Sequence, residues 1–277
     1  MTAIQEATKV NYDYRNQNGA GIWLPPNVPP GLNNLKRIDP YEGTAEQLYP
    51  IGAIGFLDQR KFAYAYCSGA LAGWARLVVD TNALGYSGVE GDSHGEIAPS
   101  AAALIHATVV VIADTNTRAK NYYAGGYLTV FHADGIMTTT IRIAASDAAA
   151  AADDKVTLYL DDPLPWAVGT TFWCSAYRNP YSNITESTNS GYEAFMGLSL
   201  CAVTITHYSW LQIAGPCWLA QTTTVPGNAI GERDCYAHID GTCTVNPDTT
   251  LRQYIGYVLG EHVAASGGDT FMMLRLG

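Results

Sequence analysis

Large apolar residues alternate with small or polar residues along most of the chain, which is the pattern of β-strands that bury one face. Residues 51–56 and 62–67 show this alternation on either side of a short polar turn, which predicts a hairpin. The other predicted strands share the alternation or a β-branched apolar run, and they lie at 75–79, 107–113, 127–131, 138–143, 156–160, 172–177, 198–206, 210–213, 217–219, 254–259 and 271–276.

Residues 235–245 add a predicted hairpin that turns at Asp240 and Gly241. Helical periodicity competes only in the alanine-rich stretches 100–106 and 144–152. The spacing of the strands is typical of barrels and sandwiches. The sequence therefore predicts a mostly β protein of small β-barrel or sandwich modules, with an extended N-terminal arm and little helix.

Residues 210–221, WLQIAGPCWLAQ, contain two apolar runs, each with a tryptophan, on either side of Gly215 and Pro216. Proline lacks the backbone N–H that a central strand needs, so this pair interrupts regular pairing. We interpret the stretch as a corner in a small β-barrel or sandwich, with the tryptophans packed on both sides of it.

The arm is predicted at residues 1–48, because the proline-rich stretch 24–31 forms neither a helix nor an internal strand. An aromatic and aliphatic group within it favours docking onto a neighbouring subunit, since such residues are unusual in a free tail. The predicted interface residues are Ile22, Trp23, Leu24, Pro25, Pro26 and Val28.

Three β-modules are predicted after the arm, at 49–115, 116–200 and 201–277, the last barrel-like. An Ala-aliphatic-Gly string recurs at 70–73, 167–169 and 229–231, which indicates repeated small modules.

Composition narrows the class of protein. The chain is 48% hydrophobic and only 14% charged, and its 18 tyrosines are good interface residues, so we expect surfaces that neighbouring subunits cover. The net charge of −10 and the lack of a Lys/Arg cluster argue against nucleic-acid binding. No apolar run has the length of a signal peptide or a membrane span, so we expect synthesis in the cytoplasm and no membrane partner.

Two motifs resemble reactive or metal-binding sites. Ser93, in Gly-Asp-Ser-His at 91–94, resembles an esterase block, but no Asp-x-x-His pair near the C-terminus supplies its base, so we expect a surface loop. Cys235, His238 and Cys243 offer three zinc ligands where a structural site needs four. We therefore predict no catalytic, metal or cofactor residues.

Six cysteines are scattered along the chain, most of them within predicted strands. In such positions a free cysteine behaves as a small apolar residue, so we expect buried thiols. A disulfide between Cys235 and Cys243 is the alternative for that pair.

Residues 210–216 read Trp-x-Gln-x-x-Gly-Pro, and this stretch resembles a segment of uncharacterised structural proteins of tailed phages. The matching segments elsewhere share short Tyr, Gly and Ala strings, and they lie at 49–52, 62–65, 122–128, 227–231, 235–245 and 255–259.

The resemblance implies a non-enzymatic virion protein, most simply a capsid decoration (cement) protein that forms a symmetric homo-oligomer and binds the major capsid protein. Two alternatives stay open. One is a neck, tail or fibre component with a carbohydrate-binding β-sandwich, for which 177–192 is the candidate segment. The other is an esterase-like hydrolase that uses Ser93.

Overall fold

The structure is a computed structural model of the 277-residue chain. The described residues are 13–17, 20–24, 38–73, 76–80, 99–114, 116–132, 137–150, 155–169, 171–187, 194–220, 233–245, 253–259 and 270–276, with backbone alone described in the first two ranges.

The strands follow one another along the chain as β1 (Asp13–Gln17), β2 (Ala20–Leu24), β3 (Ile54–Leu57), β4 (Arg60–Tyr66), β5 (Leu77–Asp80), β6 (Val109–Ala113), β7 (Tyr127–His132), β8 (Thr138–Ser146), β9 (Lys155–Leu160), β10 (Phe172–Tyr177), β11 (Ile184–Glu186), β12 (Ala194–Ser199), β13 (Tyr208–Leu219), β14 (Asp234–Ala237), β15 (Cys243–Thr244), β16 (Tyr254–Val258) and β17 (Thr270–Arg275). Across these described ranges the chain contains no helix, and its sheets are barrel-like. The predicted mostly β class is confirmed, and the described parts of the two alanine-rich stretches, 100–106 and 144–150, are not helical. Accordingly, the described part of the chain has no helix long and apolar enough to cross a membrane.

The chain divides into two compact units. Unit 1 comprises residues 1–78, 186–191 and 195–277, and unit 2 comprises 79–185 and 192–194. This differs from the predicted arm and three successive modules, because strands far apart in sequence pair with each other: β4 pairs with β13 across about 140 residues of chain.

Unit 1 contains the sheet path β1-β2-β3-β4-β13-β17-β16-β14-β15. The segment predicted as an arm supplies the first two strands, a hairpin in which β2 also pairs with β3. The described part of that segment therefore belongs to the sheet. The prolines at 25 and 26 follow β2, so they do not interrupt its pairing.

The predicted corner lies in the middle of β13, a single 12-residue strand. Its first half pairs with β4 and its second half with β17, and Ala214 is the residue that pairs with both. Gly215 follows with φ +100, and a Cβ there would lie 2.5 Å from the carbonyl oxygen of Gln59. A register shift between Gln212 and Ala214 marks the same place. The corner is where β13 passes from one set of partners to the next.

Beyond the corner, β13, β17, β16, β14 and β15 curve into a small barrel, since Cys243 N donates to Ala220 O at the end of β13, at 2.9 Å. Buried sulfur-bearing side chains fill much of its interior: Cys217, Cys235, Cys243 and Met272. On the other side of the corner, Trp210 packs with Tyr49 and Tyr64, with ring centroids 4.9 and 5.1 Å away. The tryptophans differ in burial, because Trp210 is buried and Trp218 is 40% exposed.

Unit 2 is a five-stranded antiparallel sheet in the order β10-β7-β8-β9-β6. The order corresponds to β1-β2-β3-β4-β13 of unit 1, with β9 in the place of β4 and β6 in the place of β13. Its core is aliphatic, with Leu128, Ile143 and Leu158 fully buried.

Both units contain the same set of four backbone hydrogen bonds next to these equivalent strands, and we call this set a lock. In unit 1, Leu71 and Val203 exchange two backbone hydrogen bonds of 2.9 Å, and Cys67 bonds to Thr206 and His207 at 2.8 Å. In unit 2, Val168 and Ala103 exchange two bonds of 2.8 Å, and Leu164 bonds to His106 and Ala107 at 2.9 Å.

The backbone conformation of the two locks also agrees, because Thr206 and His106 both have φ +66. The Ala-aliphatic-Gly strings at 70–73 and 167–169 place Leu71 and Val168 at equivalent positions, whereas 229–231 lies outside the described residues. A shorter variant pairs Arg118 with Ala149, with Asn121 at φ +63. The fold therefore repeats one local arrangement, a set of backbone hydrogen bonds with a left-handed residue beside it.

We predict that Gly215→Ala lowers the free energy of unfolding by about 1–3 kcal/mol. The left-handed backbone disfavours a side chain, and the new Cβ would meet the carbonyl of Gln59. Urea unfolding followed by circular dichroism measures the change. Gly169→Ala is the matched control, since a Cβ there has nothing within 4 Å. Equal midpoints for the two variants would contradict the strain at the corner.

Candidate functional site

A pocket of about 380 Å³ opens at the corner of β13. The pocket forms there because β4 begins at Arg60, so its pairing with β13 ends as the strand turns away. All of its lining residues belong to unit 1: Tyr41, Arg60, Gly73, Leu200, Gln212, Pro216, Cys217 and Trp218.

Arg60 supplies the cation of this corner pocket, and two neighbours fix its guanidinium. Nη1 donates to the Tyr41 hydroxyl at 3.1 Å, and Nη2 lies 3.4 Å from Asp58 Oδ2. These contacts, with the hydrogen bond to Tyr41 as the largest contribution, raise the pKa of Arg60. Because the Asp58 carboxylate faces the guanidinium, the pair carries little net charge.

Gln212 and Trp218 give the pocket a fixed polar floor and an apolar rim. Gln212 is buried, and its Nε2 donates to the carbonyl oxygens of Ala214 and Pro216 at 3.3 and 3.0 Å. Pro216 and Trp218 alternate with buried Cys217, so both project outward. The corner thus holds polar groups beside an exposed indole ring.

A second cavity, of about 40 Å³, lies beside the aromatic cluster of Tyr49, Tyr64 and Trp210. The rings pack edge-on or tilted against one another, and burial raises the pKa of Tyr49 to about 12. The space is large enough for water and too small for an ordinary ligand. We assign this cluster to the core.

A buried polar network in unit 2 is centred on Asp114. Arg118 Nε donates to Asp114 Oδ2 at 2.9 Å, and the Tyr123 hydroxyl donates to the same oxygen at 2.6 Å. Burial and then the hydrogen bond to Asp114 raise the pKa of Tyr123. Asn116 donates to the other oxygen of Asp114, so both carboxylate oxygens accept hydrogen bonds from within the protein. This network stabilises structure and presents no free group for chemistry.

Of the predicted interface residues, Ile22, Trp23 and Leu24 lie in β2, where Ile22 pairs with Gly55 and Trp23 with Ile54. Pro25, Pro26 and Val28 lie outside the described residues, as does Ser93 with its esterase-like block. The interface role of the six residues stays a prediction.

The Cys-His motif at 235–243 forms the predicted hairpin, with Gly241 at φ +81 in its turn. His238 Nδ1 lies 2.8 Å from Asp240 Oδ1. Although partial burial opposes it, hydrogen bonds from Thr242 and His238 hold the pKa of Asp240 below its ordinary value. Among the residues that the structure describes, no group of three metal-ligating side chains converges.

All six cysteines are described, and all are free thiols, so the alternative of a Cys235–Cys243 disulfide is not borne out. Burial raises the pKa of four of them, Cys67, Cys174, Cys217 and Cys243, to about 12, and raises that of Cys235 further. Cys201 is half-buried.

The segment predicted as a carbohydrate groove, 177–192, is described as far as residue 187. Tyr177 is exposed, whereas Asn179 is buried and burial raises the pKa of Tyr181 to about 12. The described part therefore presents one aromatic ring outward. The sequence pattern predicts a ligand groove in this segment and not at the corner of β13, where its only signal is the Gly215-Pro216 pair.

Comparisons with family models, with curated proteins and with solved structures found no match for this chain.

We predict that Asp114→Ala lowers the free energy of unfolding by about 3–5 kcal/mol, because it leaves the Arg118 guanidinium buried without its partner. Asp58→Ala removes the exposed partner of Arg60 and is expected to cost less than about 1 kcal/mol. Urea unfolding of both variants measures the difference. A similar loss for both would contradict a structural role for the Asp114 network.

We predict that Ellman's reagent at pH 8 reacts quickly with at most one thiol of the native protein, Cys201, and with six after denaturation. The other five are buried with raised pKa values, so the reactive thiolate is scarce at this pH. Rapid reaction of several thiols in the native state would contradict this arrangement.

Proposed function

We propose that this chain is a non-enzymatic structural protein of a virion, acting as a capsid decoration (cement) protein. Its partners are other copies of itself and the major capsid protein, and its location is the assembled particle. The phage-like motifs of the sequence suggest the class, and the exposed side chains of the two locks support a role in subunit contacts.

The observation that carries the proposal is the placement of aliphatic residues at equivalent turn tips. Ile105 and Ile205 each precede the left-handed residue of a lock, and they are 53% and 52% exposed. Leu104, beside Ile105, is 78% exposed. When a partner covers an aliphatic side chain that a rigid turn holds in water, apolar surface is buried and association is favoured.

A second apolar surface lies on the outside of the small barrel. Trp218 pairs with Phe271, and Leu259 N donates to Phe271 O, so three exposed apolar side chains form a row across β13, β17 and the end of β16. Interfaces are enriched in such residues and poor in charge at their centres, in keeping with the 14% charged composition.

A neck, tail or fibre component is the second candidate, favoured by the outer face of unit 2. Tyr127 and Tyr177 are direct cross-strand partners on β7 and β10, and both are exposed. Exposed tyrosine pairs suit a recognition surface. Copy number separates the candidates, since a cement protein is present in hundreds of copies per particle and a vertex component in a few.

We expect the full chain to be oligomeric in light scattering. The double variant Leu104→Ser, Ile105→Ser should weaken self-association at least tenfold while changing the free energy of unfolding by less than ~0.5 kcal/mol, because these side chains are exposed. The control is Lys120→Ser, which alters the exposed residue before Asn121 in the shorter lock.

The proposal is wrong if the full chain is monomeric at every concentration and quantitative mass spectrometry does not detect it in purified virus particles from its source. Oligomers that the double variant leaves intact would show that the turn tips are not the contacts.

A further inference from the structure

The corner pocket has the chemistry of a small-molecule site, and it shares Trp218 with the apolar row on the outside of the small barrel. Its volume of about 380 Å³ is within the roughly 300–1,000 Å³ range of such sites. It lies at the register shift between Gln212 and Ala214, and β-bulges are over-represented next to active sites. The groups around it determine what it can bind.

The polar groups of the pocket suit a neutral ligand with several hydroxyls. Arg60 has five N–H donors, of which the Tyr41 hydroxyl and the Asp58 carboxylate engage two. The guanidinium thus presents donors at the pocket, and the carboxylate of Asp58, which lies beside Arg60 but does not line the pocket, compensates its charge. An anion would find the charge of Arg60 compensated by Asp58 and a chain of net charge −10, so the electrostatics disfavour phosphate and acidic ligands.

The apolar groups suit a ring with a C–H face. The indole of Trp218 and the ring of Tyr41 are both exposed at the pocket, and Pro216 lies beside Trp218 on the same face of β13. A pyranose ring combines an apolar C–H face, which packs on aromatic rings, with hydroxyls at its edge that both donate and accept hydrogen bonds.

The side chains are held in place before any ligand arrives. Gln212 is fixed by the carbonyl oxygens of Ala214 and Pro216, and Arg60 by Tyr41 and Asp58. Gly73 allows the close approach of residues 201–202, because a Cβ there would lie 2.2 Å from Ala202 N. Preorganisation of this kind reduces the entropy lost on binding.

We propose that the corner pocket binds a neutral pyranose sugar, with its C–H face on Trp218 and its hydroxyls toward Arg60 and Tyr41. The ligand class is a neutral hexose or N-acetylhexosamine, free or as the end of a glycan. This site is separate from the 177–192 segment, and it uses residues of unit 1 alone.

The test is a titration of the full chain with glucose, galactose, mannose and N-acetylglucosamine, followed by isothermal calorimetry and tryptophan fluorescence. At least one of these sugars should bind with a millimolar or tighter Kd, and glucuronate and inorganic phosphate should bind at least tenfold more weakly. Trp218→Ala and Arg60→Gln should each raise the Kd of the sugar at least tenfold.

Phe271→Ala is the matched control, because Phe271 is the cross-strand partner of Trp218, is 51% exposed and does not line the pocket. It should change the Kd by less than twofold, and thermal melts verify that each variant is folded. Tyr41→Phe, which removes only the hydroxyl that accepts from Arg60, provides a second and milder variant.

Three results would overturn the proposal. One is no heat or fluorescence change with any of the four sugars up to tens of millimolar. Another is tighter binding of phosphate or glucuronate, which would make the pocket an anion site. The third is an equal loss of sugar affinity in Phe271→Ala and Trp218→Ala, which would place the binding site on the open face of the sheet. Self-association is tested at Leu104 and Ile105, which do not line the pocket, so failure of sugar binding and failure of the turn-tip contacts are distinguishable.

Discussion

The structure of unit 1 depends on one backbone constraint, the left-handed turn at Gly215 in the middle of β13. The strand must leave β4 and continue along β17, and the carbonyl of Gln59 lies where a side chain would project. Glycine is the residue that tolerates both the positive φ and the contact. The aromatic core before the corner and the sulfur-rich barrel after it are therefore parts of one strand's path, and the pocket is the space left where β4 ends.

The repeated lock explains how two units with different chain orders reach similar strand arrangements. In unit 1 the left-handed residue Thr206 belongs to the second segment of the lock, and in unit 2 the corresponding His106 belongs to the first. Backbone hydrogen bonds define the device, so side chains at its tip are free to vary. The tips carry isoleucine at 105 and 205 and lysine at 120, which is the expected difference if the turn is structural and its tip serves contacts.

Burial divides the polar and sulfur-bearing groups into two sets. The Asp114 network is enclosed with its hydrogen bonds made inside the protein, and the thiols of Cys217, Cys235 and Cys243 are buried with raised pKa values, so both are closed to a ligand. Arg60 sits at an opening and keeps donors available beside a rigid ring. Among the described residues, the pocket at the corner therefore offers a ligand a cation, a buried amide and an exposed indole ring.

The sequence by itself determined the mostly β class, most strand positions and the hairpin at Asp240-Gly241, because alternation and turn residues act over a few neighbouring positions. It predicted a break in pairing at Gly215-Pro216, but β13 continues through both residues, which pair with Leu274 and Met273. It placed strands in 198–206, where β12 ends at Ser199 and a lock segment follows, and it missed the pairing of β2 with β3. Only the tertiary structure decided which distant strands pair, that Trp210 is buried while Trp218 is exposed, and that Tyr41, Arg60 and Gln212 meet at one pocket. Those outcomes depend on contacts between residues far apart in the chain, and no local pattern encodes such contacts.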